Sequence, residues 1–253
     1  MSTKKRKLVA ALACRNAGSR LYGKPLQNLD VEKSVCILDN IVESLKSFGC
    51  VDEIVLGISE GVENEIFIKY AMLHGLKYVI GDESDVLSRL IMCGELTNAT
   101  DIFRVTSESP FRYFEADLET WNKHQESEND ATFLEGIVDG CGFEIIRLSA
   151  LKISHKRGEE RHRSEMCTLY IRENPEKFKI EKIQPPQELV RNDLRLTVDN
   201  PEDLVVCRKV YAEFKHLAPA IPIVNIINYL DQNPHLIQLI EPFVEQGYSS
   251  MYL

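Results

Sequence analysis

The sequence predicts a three-layer α/β/α fold built on a mostly parallel sheet. Three observations predict it. The run Leu8-Val9-Ala10-Ala11-Leu12-Ala13 has no polar alternation, so it reads as a strand buried on both faces, as strands of parallel sheets are. After it, strand and helix patterns alternate as far as residue 80, the rhythm of right-handed crossover units. A chain of 253 residues, 44% hydrophobic and 27% charged, is of the soluble globular class and long enough to bury one large core. We therefore expect one domain over residues 1–253, with residues of about 125–190 forming a small excursion.

Each element has its own signal. Leu38, Ile41, Val42, Leu45 and Phe48 recur at helical spacing, with Gly49 as a stop. Ile54 to Ile58 is a second buried strand, and Ile66, Phe67, Tyr70 and Leu73 mark a helix ended by Gly75. Lys77 to Ile80 is a third strand, and Ser84 or Asp85 can cap the helix that follows. Ile102 to Val105 is a strand running into a turn stopped by Pro110, and a helix beyond Glu115 carries the lone Trp121. Gln125 to Asp130 reads as an acidic loop, and Gly136, Gly140 and Gly142 precede a strand from Phe143 to Arg147. The charged stretch from His155 to Arg163 reads as a loop, with a helix from Glu165 stopped at Asn174-Pro175. Phe178 to Ile183 fits an edge strand. Leu194 to Val198 is a strand leading to a helix with Asn200 as cap, Pro201 at the first helical position and Glu202 and Asp203 in the first turn. Short helices over 224–230 and 236–240 complete the chain, with Tyr248 and Tyr252 expected in packing or dimer contacts.

A formal charge of -9 argues against a general nucleic-acid surface, which needs a net basic face. It also makes clustered cations informative, because an anionic ligand must be drawn in against the field of the whole chain. No stretch of eighteen apolar residues suggests a membrane span, and the basic opening residues lead into a run too short for a signal peptide, so a cytoplasmic protein is expected. Seven cysteines without a C-x-x-C pair or a nearby histidine should be free and mostly buried.

Cys14 to Leu26 follows the first strand directly and concentrates Gly18, Gly23, Arg15, Arg20 and Lys24 in one loop. Backbone N–H groups and cations gathered there suit a polyphosphate. Gly18 to Lys24 spells G-x-x-x-x-G-K, but it is not a P-loop. Pro25 stands where that motif needs a hydroxyl for magnesium, and it offers no N–H to a phosphate.

The stretch resembles instead the signature of the CMP-sugar synthetases, the cytidylyltransferases that activate acidic sugars, in which Ala-Arg-x-x-Ser-x-Arg-Leu-Pro-Gly-Lys-x-Leu recurs. Arg15, Arg20, Leu21, Gly23, Lys24 and Leu26 match it, while Cys14, Gly18 and Tyr22 depart from it. Two further blocks follow in order. Gly81, Asp85, Val86, Leu87 and Arg89 are similar to the spore-coat-polysaccharide branch, and Thr197-Val198-Asp199-Asn200-Pro201-Glu202-Asp203-Leu204 is similar to the family's Thr-Val-Asp-x-Pro-Glu-Asp-Leu.

The resemblance implies a Rossmann-like nucleotidyltransferase fold, CTP as donor, a small anionic acceptor, Mg²⁺ or Mn²⁺ as cofactor, and a homodimer that binds neither nucleic acid nor membrane. It implies catalytic roles for Arg15 and Lys24, and nucleotide contacts from Cys14, Arg15, Gly18, Ser19, Arg20, Lys24, Asp85 and Arg89. Glu108 and Asp199 take the places of the family's two metal ligands, Glu108 being one methylene longer than the family's aspartate. Asp139, Glu144 and Arg147 fall in the region that forms part of the family's sugar pocket, and Arg161 and Arg163 offer guanidinium forks for a carboxylate or phosphate. The base and the acceptor stay open. Related folds transfer GMP, UMP or dTMP; a polyol phosphate or phosphonate would satisfy the same cations as an acidic sugar; and a catalytically silent nucleotide binder or a partner-binding domain are the rival classes.

Overall fold

The computed structural model describes residues 5–18 and 20–249, with side chains as far as residue 245. In chain order the elements are β1 (Leu8–Cys14), β2 (Asn28–Asp30), β3 (Val35–Cys36), α1 (Ile37–Lys46), β4 (Glu53–Ser59), α2 (Glu65–Leu73), β5 (Lys77–Gly81), α3 (Val86–Thr97), β6 (Asp101–Arg104), α4 (Asp117–Glu126), β7 (Ala131–Leu134), β8 (Phe143–Arg147), α5 (Leu148–Arg157), α6 (Leu169–Glu173), β9 (Ile180–Ile183), α7 (Pro201–Phe214), α8 (Ile223–Gln232) and α9 (Pro234–Ser249). Seven strands form one sheet in the order β5-β4-β1-β6-β8-β7-β9, and β2 and β3 make a separate antiparallel pair. Only β8 runs against the others.

β1 shows why the fold has three layers. Leu8 to Leu12 have no exposed surface, and alternate residues feed opposite cores. Leu8, Ala10, Leu12 and Cys14 pack with apolar residues of α1, α7 and α8, whereas Val9 and Ala11 pack with those of α3 and α5. A strand with a helix layer on each face has no solvent side, so its sequence needs no alternation. α1 starts where Cys36 donates its N–H to Asp39 Oδ2 at 2.7 Å, a side chain three residues on that satisfies an otherwise free donor. All seven cysteines are free, and six are buried.

Four features differ from the sequence reading. Ala131–Leu134, between the stretch read as an acidic loop and Gly136, is an interior strand, buried throughout and paired with β8 and β9. Four residues are too few to show a period, and Thr132 there is buried against His124 and Asn129 rather than facing water. Leu148–Arg157 is a helix whose buried face, Leu148, Ala150, Leu151 and Ser154, is short of large apolar residues, so its pattern is lost among charges. Leu194 to Val198 does not join the sheet. It lies extended with one bridge, Asp139 to Arg195, and its amides reach two different loops, Leu196 N–H to Asp139 O (2.7 Å) and Val198 N–H to Glu108 O (3.0 Å). Finally, α9 continues through Pro242 instead of ending near residue 240. Tyr252 and Ser19 lie outside the described residues, as does the side chain of Tyr248.

That extended segment is seated by Gly140. Its φ is +88°, and a Cβ there would stand 2.6 Å from Thr197 N and 2.8 Å from Leu196 C. Both atoms are backbone, so no side chain can swing away to relieve the contact. Gly140→Ala is expected to lower the unfolding free energy by about 2–4 kcal/mol in urea titrations, combining a left-handed conformation with a backbone clash.

Candidate active site

The loop after β1 is closed by its own backbone. Gly23, at φ 61°, donates its N–H to Asn16 O (2.9 Å), and Leu26 N–H returns to Gly23 O (2.9 Å). The left-handed turn at Gly23 is what a glycine supplies without steric cost. Lys24 then opens a single 3-10 turn, Lys24–Leu26, with Pro25 buried at its start. Gly18 lets the loop fold onto itself, for a Cβ there would lie 2.3 Å from Leu21 O. Buried Asn16 ties the loop to the start of α2: its N–H donates to Asn64 Oδ1 at 2.8 Å, and its amide donates to Glu63 O. Neither asparagine stood out in the sequence, because a buried amide serving backbone has no pattern of its own.

Asp199 is where the charges meet. Lys24 Nζ donates to Asp199 Oδ1 at 2.5 Å, Arg20 approaches the same oxygen at 3.4 Å, and Arg195 Nη2 donates to Oδ2 at 2.7 Å. Burial pushes the Asp199 pKa up, but the Lys24 hydrogen bond and the charges of Lys24, Arg195 and Arg20 overcome it and leave the carboxyl below its usual range. Asp203 closes the turn beneath, accepting the N–H groups of Asp199 (3.0 Å) and Asn200 (2.8 Å) on Oδ2. Its part is therefore in the local turn as well as in the helix dipole.

Glu108 belongs to the same corner, since its carbonyl accepts the Val198 N–H one residue before Asp199. Its carboxyl is pushed upward, first by desolvation and then by the negative charges of Asp199 and Glu165, against the pull of Lys24 and Arg104. A carboxylate held up by a neighbouring carboxylate is one that a cation would relieve.

A second cluster adjoins the first. Arg15, from the end of β1, pairs with Glu165, whose carbonyl accepts from Arg104 Nη2 at 2.8 Å. Glu144 accepts from Arg104 Nη1 (2.8 Å), Arg172 Nη2 (2.9 Å) and Thr168 Oγ1 (2.8 Å). Although buried, it is held below the ordinary carboxylate range by those two arginines. Both clusters sit where β1 and β6 end, the place where open α/β sheets collect ligands.

No protein-family model matches the chain. It is 28% identical over 232 residues to the uncharacterized protein MJ1063 of Methanocaldococcus jannaschii, covering 91% of this chain and 93% of that one. It is 25% identical over 228 residues to the spore coat polysaccharide biosynthesis protein SpsF of Bacillus subtilis, covering 88% and 93%. Among solved structures, a cytidylyltransferase from Leptospira borgpetersenii superposes with a TM-score of 0.82 at 22% identity, covering 92% of this chain and 98% of that one. The fold is that of the cytidylyltransferases. CMP:2-keto-3-deoxy-manno-octonic acid synthetase, solved with CTP, shares it at a TM-score of 0.61 and 13% identity, over 82% of this chain and 99% of that one.

Within this cytidylyltransferase fold the expected site residues divide. Arg15, Gly18, Arg20, Lys24, Glu108 and Asp199 gather at the end of β1, and Asp139 and Glu144 stand beside them through Arg195 and Arg104. Cys14 does not offer its side chain: the thiol is fully buried in the core and pushed up by desolvation, and only its carbonyl serves the loop, accepting from Arg89. Arg89 is only 1% exposed and donates to the carbonyls of Cys14 (3.3 Å) and Gly57 (3.1 Å), so it braces the ends of β1 and β4. Asp85 caps α3 through Ser88 N–H (2.8 Å) and holds His155 Nε2 at 2.7 Å.

Arg147 is displaced for a topological reason. β8 runs antiparallel to β6, so Glu144 is opposite Arg104 at the site end, while Arg147 is opposite Asp101 at the far end and lies 4.0 Å from Asp130. Arg161 is engaged by both oxygens of Glu173 (2.6 and 2.8 Å), and Arg163 reaches the His155 carbonyl at 3.4 Å. Sequence reading missed Arg195, Arg104, Arg172 and Glu165. The one usable signal was Arg195, a cation between Leu194 and Leu196 in an otherwise apolar run.

Asp139 adds its own pH dependence to this corner, beside the raised Glu108 and the lowered Asp199. Desolvation lifts it from 3.8 to about 6, with Arg195 opposing and Asp199 and Asp203 adding to the shift. Between those values the folded chain binds more protons than the unfolded one, so this carboxyl costs stability progressively as pH rises from about 4 through 6. Asp139→Asn should match the parent near pH 4 and exceed it by roughly 1–3 kcal/mol above pH 6.5, read from denaturant midpoints at both pH values.

Proposed function

We propose that the protein is a CTP-dependent cytidylyltransferase that transfers CMP to a small anionic acceptor, an acidic sugar of a surface-polysaccharide precursor, and releases pyrophosphate. One observation carries this reading: Lys24 and Arg20 converge on Asp199, next to Glu108, in the loop that follows β1. The order of the three sequence blocks, the likeness to SpsF and the fold shared with structures of cytidylyltransferases support it. CTP is the donor favoured by those likenesses. An anionic acceptor is favoured because the cations of this corner are concentrated on a chain of net charge -9.

In this reading Arg15, Arg20 and Lys24 bind the triphosphate, and Lys24 exchanges Asp199 for phosphate oxygens when the nucleotide arrives. Their charges then lie where negative charge develops as the acceptor oxygen bonds to the α-phosphorus. The bond to the β-phosphate oxygen breaks with its electron pair leaving on pyrophosphate. Work of this kind is positioning and charge stabilisation, with no protein nucleophile required. The acceptor hydroxyl gives up its proton to solvent.

Glu108 and Asp199 fit a magnesium ion. Among the described residues no group of three or more His, Cys, Asp and Glu stands together to hold an ion unaided. Two hard carboxylate ligands completed by substrate phosphate oxygens and water are the usual provision for Mg²⁺. Bound there, such an ion would supply charge neutralisation at the phosphates.

The reading is checked by pyrophosphate release with each of the four nucleoside triphosphates against acidic sugars, sugar phosphates and phosphonates. Release with CTP and an anionic acceptor is expected, and equal release with all four nucleotides would sink the cytidylyl assignment. Lys24→Ala should lower turnover by roughly 10²-fold or more with the thermal transition retained, as loss of a charge-stabilising donor does.

A further inference from the structure

We propose that Arg195 is a positioning residue for Asp199, fixing one carboxylate oxygen from beneath so that the other faces the ligand. The inference rests on the reading of Asp199 as a metal ligand. Arg195 is 1% exposed and one of the largest fully buried side chains. Its guanidinium makes two hydrogen bonds and one charge contact. Nη2 donates to Asp199 Oδ2 at 2.7 Å, Nη1 donates to the Phe243 carbonyl of α9 at 2.7 Å, and Nε faces Asp203 Oδ1 at 3.1 Å.

The two oxygens of Asp199 therefore have partners of different kinds. Oδ2 is bound by a cation that is locked in the core and braced by a helix carbonyl. Oδ1 is bound by Lys24 and Arg20, whose side chains are 20% and 39% exposed and so within reach of an incoming phosphate. A planar fork with donors at fixed angles can bond Asp199 and Phe243 O at once while its charge lies 3.1 Å from Asp203 Oδ1, a geometry that a point-like ammonium does not reproduce. With Oδ2 held, the carboxylate keeps its orientation when Lys24 leaves, and Oδ1 stays on the side that Lys24 and Arg20 approach. Side chains that orient a metal ligand through its distal atom commonly change metal affinity by about 10- to 100-fold when removed.

The experiment is a Mn²⁺ titration followed by the electron paramagnetic resonance signal of the free ion. It is run with CTP but no acceptor, so nothing turns over, on the parent, Asp199→Asn, Arg195→Lys and Arg195→Met. Asp199→Asn should lose the CTP-dependent Mn²⁺ site. Arg195→Met should need about 10- to 100-fold more Mn²⁺ for half-occupancy, with Arg195→Lys between it and the parent. CTP binding measured in a chelator should change by no more than about two-fold in either Arg195 variant, because orientation of a metal ligand acts through the metal. If Arg195→Met shows no cooperative thermal transition, Arg195→Lys decides.

Mn²⁺ binding within about two-fold of the parent in the folded Arg195 variants, with Asp199→Asn impaired, would overturn the role of Arg195 alone. Equal loss of Mn²⁺ and metal-free CTP binding would also overturn it, as a general loss of structure. Undiminished Mn²⁺ binding in Asp199→Asn would instead overturn the reading of Asp199 as a ligand, and the role of Arg195 with it.

Discussion

A single carboxylate shared by three cations organises this end of the molecule. Asp199 is drawn on by Arg195, four residues before it, and by Lys24 and Arg20 from the distant loop after β1, while the Phe243 carbonyl of α9 holds Arg195 in turn. Holding one charged group by partners so distant in sequence requires the loop after β1, the extended segment before α7 and the C-terminal helix α9 to be placed together. The sheet does this placing. β1, buried on both faces, is the rigid post from which the loop starts, and α7 packs against β2 and α9.

The arrangement also explains how a chain of net charge -9 can present a basic corner. Every cation there is matched: Lys24 and Arg20 with Asp199, Arg15 with Glu165, Arg104 and Arg172 with Glu144. A buried pair is costly to desolvate and repays that cost only when its partners are well placed. The half-exposed pairs differ, since an incoming anion can take over the cation and release the carboxylate. The two populations lie side by side, the fixed pairs supporting the exchangeable ones. Glu108 is pushed upward by desolvation and by Asp199, against the pull of Lys24.

Legibility in the sequence followed the range of the interactions. β1, α1, β4, α2, β5 and the start of α7 were readable because their periodicity, caps and stop residues are local properties. β7 and α5 were not, because a four-residue strand shows no period and a helix buried on small residues shows no stripe. Leu194 to Val198 had the composition of a strand, yet its neighbours are two loops, so its hydrogen bonds are divided between them. Among candidate site residues, the loop cations were marked by type and spacing and Glu108 and Asp199 by the resemblance, and the fold brings them to one corner. Arg147 was misplaced, because the direction of a strand is not a property of its residues.

By itself the sequence determined the buried strand, the loop of glycines and cations after it and the succession of strand and helix, all set by backbone preferences and residue chemistry over a few positions. Only the tertiary structure decided which charges meet. It put Arg195 beneath Asp199, turned Arg89 inward to the carbonyls of Cys14 and Gly57, and sent Arg147 to the far end of the sheet. The physical reason is that Coulomb and hydrogen-bond energies depend on separation in space and on burial. Neither quantity exists until the sheet has fixed the order and direction of its strands.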